Sequence, residues 1–106
     1  MASKSKAKGN RIEREVVKIF EEYGYSARRA WGSDGRSLGL NEEVDVLVNI
    51  KSKDFAIQVK GRKRIADYLK PDTDKVSMQI LHEDRGKYYI VMDVYDYLNE
   101  IYRHTG

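Results

Sequence analysis

Apolar positions fall into a few patterned stretches along the chain. From Ile12 to Tyr23 they recur at helical spacing, and Gly24 follows as a stop. Asn10 is a suitable N-cap with Glu13 three residues on, so a helix is predicted from about Arg11 to Tyr23. Tyr25–Ala30 reads as a short strand. Val44, Val46, Val48 and Ile50 then alternate with Asp45, Leu47 and Asn49, a strand with one apolar face. Phe55, Ile57 and Val59 alternate with Ala56, Gln58 and Lys60 in a second strand. The polar stretch Lys51–Asp54 joins them as a hairpin loop. Ile65–Leu69 is a short helix before Pro71. Lys75–Leu81 and Lys87–Val94 form a second hairpin with Gly86 allowing the turn, or Val76–Glu83 is a helix preceding a strand. Tyr95–Arg103 closes the chain as a helix with Tyr95, Leu98, Ile101 and Tyr102 on one face, a core stripe or a dimer seam. This succession predicts an α/β fold: a helix, a mixed sheet with a central hairpin, a second hairpin or helix-strand, and a C-terminal helix.

Two polar features stand out against this pattern. A four-residue hairpin loop pairs Ile50 with Phe55, which sets Asp45 opposite Lys60 and Gln58 opposite Leu47. Asp45, Gln58 and Lys60 then share one face, because side chains repeat every second residue. Such a cluster is either a solvated hairpin face or an active site. On a wheel of about 100° per residue, Glu13 falls between Phe20 and Val17, inside the edge of the apolar arc. An unpartnered buried carboxylate is costly. Glu13 therefore either caps the helix N-terminus or faces a cation, a metal or a wet cleft.

Composition narrows the class. With 106 residues the chain has the size of one domain, read as a basic disordered arm over 1–9 and a single domain over 10–106. It has no cysteine, which excludes disulfides and thiolate metal sites. No apolar run approaches a membrane span and no apolar segment follows the N-terminal lysines, so no membrane partner and an intracellular setting are expected. The net charge of +3 is mild, but its distribution is not. Lys4, Lys6, Lys8, Arg11 and Arg14 crowd the start, and Arg28, Arg29, Lys60, Arg62, Lys63 and Arg64 follow. Clustered cations suit a polyanion, nucleic acid first, although solvated surface charge gives the same count. The glycine-rich segment Trp31–Glu42 reads as a long mobile loop. Trp31 and Arg36 are candidates there for a base or a phosphate; Trp31 equally suits a core anchor.

Phosphodiester hydrolysis uses a hard cation on oxygen ligands, together with a positive group near the reacting phosphate. Asp45 offers a carboxylate, Gln58 an amide oxygen, Val59 a backbone carbonyl and Lys60 an ammonium. In this order the chain resembles known nucleases. Val44-Asp45, twelve residues, then Gln58-Val59-Lys60 is similar to the D…(D/E)-x-K signature of the restriction-endonuclease-like, PD-(D/E)xK superfamily. Lys8–Ser33, KGNRIEREVVKIFEEYGYSARRAWGS, resembles the opening of the archaeal Holliday junction resolvases. Those run K-G-x-x-x-E-R-E, a helix ending in G-[FY], then R-x-x-G-S. The likeness covers Lys8–Lys60; beyond it the tail looks more like small phage or viral nucleases.

The resemblance implies a restriction-endonuclease-like core and a metal-dependent endonuclease that resolves four-way DNA junctions as a homodimer with Mg2+, for which Mn2+ substitutes. It implies Glu13, Asp45, Gln58 and Lys60 as catalytic residues. Asp45, Gln58 and the Val59 carbonyl are the implied metal ligands, with Glu13 a further candidate. Arg14, Arg29 and Ser33 match positions that contact DNA or shape the site. Lys8, Arg11, Arg36, Arg62, Lys63 and Arg64 join them as expected DNA contacts from charge and placement. Two departures qualify the match. Gln58 stands where the family has Glu, so the metal loses one anionic ligand. The Trp31–Glu42 loop is longer than its counterpart, which leaves open nicked, flap or single-stranded DNA as substrate. A non-catalytic DNA-binding module is the remaining alternative.

Overall fold

Helix α1 spans Lys4–Glu22 in a computed structural model that describes residues 4–30 and 34–105. It starts well before the expected Arg11. Residues 4–9, expected as a disordered arm, are helical. Once the amphipathic stretch has nucleated, each added residue costs little, and Lys and Ala are good helix formers. Gly9 weakens the run without ending it. Asn10 therefore lies inside the helix and is not its N-cap, and Glu13 is not at N3. The C-terminus does end at Gly24, as expected. Gly24 takes φ 84°. Its N–H donates to Glu21 O at 2.9 Å and Tyr25 N–H donates to Phe20 O at 3.1 Å, the Schellman arrangement that a glycine favours.

The chain divides into two compact units, Met1–Gly61 and Arg62–Gly106. The first holds α1 and three antiparallel strands in the order β1 (Ser26–Arg29), β2 (Val46–Ile50), β3 (Lys53–Ile57). β2 is central. Val46, Val48 and Ile50 are buried, with Phe20 of α1 and Ala30, and α1 packs on β1 and β2. Each of the four larger side chains stabilises the fold by roughly 1.5–3 kcal/mol relative to exposure.

The register of the β2–β3 hairpin differs from expectation. Ile50 pairs with Lys53, Val48 with Phe55 and Val46 with Ile57. The turn is two residues, Lys51 and Ser52, not the four of Lys51–Asp54. Both take positive φ, 54° and 69°, as a type I′ turn requires. Sequence chemistry concealed this, because Lys-Ser lacks the Asn-Gly signature. The slip is two residues, so the alternation of faces survives. Leu47 now faces Ala56 instead of Gln58, and Asp45 lies one step beyond the Val46–Ile57 pair that ends the ladder, so the expected Asp45–Lys60 pairing does not form.

The connection from β1 to β2, expected to be mobile, holds a 3-10 turn at Gly35–Leu38 in its described part. Asp34 caps it through its side chain and Gly39, at φ 75°, ends it.

The second unit carries the expected second hairpin, not a helix over Val76–Glu83. β4 (Gln79–His82) pairs antiparallel with β5 (Tyr88–Val91). Arg85, not Gly86, takes the left-handed conformation of its turn, at φ 61°. A 3-10 turn at Asp67–Leu69 stands where a short helix was expected, and the Gln79 side-chain amide donates to Tyr68 O. Helix α2 spans Val94–Thr105. Asp93 caps it, its Oδ1 accepting from the N–H groups of Tyr95 at 2.8 Å and Asp96 at 3.1 Å. Of the expected stripe, Leu98 is fully buried and Tyr95 exposed, and the side chains of Ile101 and Tyr102 lie outside the described residues. Every strand pairing among the described residues is antiparallel, where a mixed sheet was expected. The class is α/β. No helix among the described residues is long and apolar enough to cross a membrane.

Candidate active site

Glu13 is 4% exposed in the middle of α1, so capping does not account for it. Its Oε1 lies 3.3 Å from Arg29 Nε, and Arg29 Nη2 donates to Asn10 Oδ1 at 3.0 Å. Element lengths explain the meeting. From Glu22 back to Glu13 the helix rises about 13 Å. From Tyr25 to Arg29 an extended chain covers about 13 Å in the opposite direction. The Gly24 turn thus returns Arg29 to the level of Glu13. Arg29 is one cation that this carboxylate faces.

Asp45, 9% exposed, is fixed on three sides. Its carbonyl oxygen accepts Ala30 N–H at 2.8 Å, and its own N–H donates to Ile57 O at 2.9 Å. Its Oδ2 accepts Val59 N–H at 2.7 Å. Oδ1 has no hydrogen bond among the described residues. Gln58 and Lys60 are exposed and Val59 is half-buried, all just past the end of β3.

Gly61 closes the circuit. A Cβ there would run into Ile12 Cδ1, with Lys8 Cε at 3.8 Å. The chain leaving β3 thus passes close against α1 next to Glu13. Contacts lead from Glu13 to Arg29, from adjoining Ala30 to Asp45, from Asp45 to Val59, and past Lys60 and Gly61 back to Ile12. Of the residues expected to be catalytic, Glu13, Asp45 and Lys60 lie on this path, and Gln58 stands one residue before Val59. Asn10, Ala30 and Gly61 complete it and were not foreseen. Only Gly61 carried a signal, a glycine directly after a strand, which marks a close backbone approach.

The expected DNA contacts are placed unevenly. Lys8 is half-buried, and Arg14 is exposed on α1. Arg11 is exposed and 3.9 Å from Glu15. Arg29 serves Glu13. Ser33, like Trp31, lies outside the described residues. Arg36 is held by acids: its Nη2 is 2.6 Å from Asp34 Oδ2 and its Nη1 3.9 Å from Glu42 Oε2. Hydrogen bonds from the Arg36 side chain and backbone N–H hold the Asp34 carboxyl below its ordinary range. Arg62, Lys63 and Arg64 are exposed in the second unit, and Arg64 pairs with Asp67 at 3.5 Å.

No group of three or more His, Cys, Asp or Glu among the described residues is placed to hold a metal. The residues expected to hold a metal, Asp45, Gln58 and the Val59 carbonyl, offer a carboxylate, an amide oxygen and a main-chain oxygen. Such an all-oxygen set with few carboxylates fits Mg2+, which keeps several of its waters.

A model of the archaeal Holliday junction resolvase (Hjc) family matches residues 4–97. The chain belongs to the archaeal Holliday junction resolvase family. It is accordingly a structure-specific nuclease that resolves Holliday junctions. No curated protein and no solved structure matches it significantly. The resolvase match runs past Lys60, where the resemblance read from motifs faded, through both hairpins and into α2.

Proposed function

We propose that this resolvase cuts DNA with Mg2+ held by Asp45, the Gln58 amide oxygen and the Val59 carbonyl, with Glu13 as a further ligand. The observation that carries this reading is the Asp45 carboxylate, anchored through one oxygen to Val59 N–H and open at the other. When bound, the cation polarises the scissile phosphate and lowers the pKa of an attacking water. The chain supplies the rest. Val59 N–H orients Asp45, and the Lys60 ammonium offsets charge developing on the phosphate. Lys8, Arg11, Arg14, Ser33, Arg36, Arg62, Lys63 and Arg64 position the DNA backbone, and Arg29 shapes the site through Glu13. One chain carries one such set of residues, whereas resolution needs two cuts, so a homodimer is the working form. The family match crosses both units, which supports one nuclease domain over residues 10–106. A DNA-processing enzyme of this kind is expected inside the cell.

Cleavage of a labelled four-way junction with and without Mg2+ tests this, beside linear, nicked, flap and single-stranded DNA at fixed salt. Paired symmetric cuts in the junction, abolished by Asp45→Ala with binding retained, are the expected result. Magnesium-indifferent binding without cuts would make the protein a non-catalytic DNA-binding member of the family.

A further inference from the structure

The upstream side of Asp45 is held by an unusually tight seat. Within 34–44, two small turns are folded onto each other. The first is the 3-10 turn capped by Asp34, from which Gly35 O accepts Leu40 N–H at 2.9 Å. The second is built on Asn41. Its carbonyl accepts Val44 N–H at 3.1 Å, and its side-chain oxygen accepts Glu43 N–H at 2.9 Å. The two turns meet at Gly35, which is buried. A Cβ on Gly35 would collide with the Asn41 carbonyl oxygen and stand 2.7 Å from Val44 Cβ.

Gly35 is not among the residues with positive φ, so its torsion does not call for glycine. Close approach does. Neither obstacle is the loose end of a long side chain: one is backbone, the other a Cβ fixed to it. Val44 directly precedes Asp45. A displacement at Val44 therefore reaches Asp45 through a single peptide, while the Asp45 carbonyl and N–H remain tied to Ala30 and Ile57.

We propose that Gly35 is a positioning residue for Asp45: the seat of the 34–38 turn against residues 41–44 sets the Asp45 carboxylate on Val59 N–H and directs its open oxygen toward the metal. This rests on the reading of Asp45 as a metal ligand. Carbon atoms normally approach to about 3.5–4 Å, so alanine at position 35 moves Val44 by roughly 1 Å. Functional constellations tolerate about 0.5 Å, and an error of about 1 Å costs on the order of a hundredfold in rate.

The test compares the wild-type chain, Gly35→Ala and Asp45→Asn. Mn2+ affinity is read without DNA from water-proton relaxation. Junction affinity is read in Ca2+ at fixed salt, and kcat and KM in Mg2+. Gly35→Ala is expected to weaken Mn2+ binding about tenfold and to lower kcat about ten- to a hundredfold, with KM and junction affinity within twofold. A merely structural glycine would move none of these while the protein stays folded. Mn2+ binding and kcat at wild-type levels in Gly35→Ala, with Mn2+ binding lost in Asp45→Asn, would overturn the role of Gly35 and leave the metal site standing. Undiminished Mn2+ binding by Asp45→Asn would overturn the metal reading, and the role of Gly35 with it. If Gly35→Ala does not melt cooperatively, Asn41→Ala decides. It removes only the side-chain acceptor for Glu43 N–H and is expected to weaken Mn2+ binding several-fold; wild-type affinity there would overturn the proposal.

Discussion

Arg29 Nε lies 3.3 Å from Glu13 Oε1, joining the end of β1 to the middle of α1. The carboxylate is nearly sealed from water, while the Arg29 side chain keeps 28% of its exposure. A buried carboxylate without its cation retains its desolvation cost. Arg29→Ala is therefore expected to destabilise the free protein by about 1–3 kcal/mol. Arg29→Lys should recover part of that, because the charge returns without the second donor to Asn10. Denaturant unfolding without DNA measures both, and wild-type stability in Arg29→Ala would show that Glu13 is satisfied some other way.

Gln58 offers a second handle, on the proposed metal site instead of the fold. Replacing it with Glu adds the anionic ligand that the superfamily signature usually carries. Metal affinity rises with ligand charge, so Gln58→Glu is expected to lower the half-saturating Mg2+ concentration for cleavage by about three- to tenfold. A Mg2+ titration of junction cleavage reads this directly. An unchanged midpoint would remove Gln58 from the ligand set.

Arg62, Lys63 and Arg64 enter the same picture through salt. Each phosphate contact adds about 0.9 to the slope of log affinity against log salt, so neutralising all three residues should flatten that slope by up to about 2.7. Junction binding at several salt concentrations measures it. An unaltered slope would mean that these side chains are simply solvated.

Asp34 predicts a pH dependence confined to acid. Its carboxyl is held below the ordinary 3.8 by hydrogen bonds from Arg36. The folded value is depressed, so the stabilisation of the clasp is complete above about pH 4 and is lost as pH falls through the folded value. The Asp34 side-chain carboxyl carbon, followed by NMR, should titrate below pH 3.8, with the clasp intact at neutral pH. In Arg36→Ala the titration should return toward the ordinary carboxylate range.

Features governed by pattern were legible in the chain, and features governed by tertiary fit were not. Glu13 was visible as an acid inside an apolar stripe. Its partner was not, because the pairing depends on matching the length of a helix segment to that of a strand. The alternation around Asp45 was visible, but the register was not. Lys51 and Ser52 adopt left-handed torsions that their side chains do not advertise. The early start of α1 was hidden by a lysine-rich composition that equally describes a solvated tail. Gly35 read as one more loop glycine, since its meaning lies in what Asn41 and Val44 place beside it.

The tight turn at Lys51 and Ser52 also makes the far tip of this hairpin a natural mounting point for a probe. A pleated ribbon returns to the same orientation after two residues, so a shift of pairing by two is a whole-period step: it changes which neighbour a residue meets but not the side of the sheet it looks out from. A shift of pairing by one residue would invert every side chain of the strand, which the buried face of β2 opposes. A fluorophore or tether inserted there would lengthen the turn while the buried Val46, Val48 and Ile50 hold β2 in place on the core.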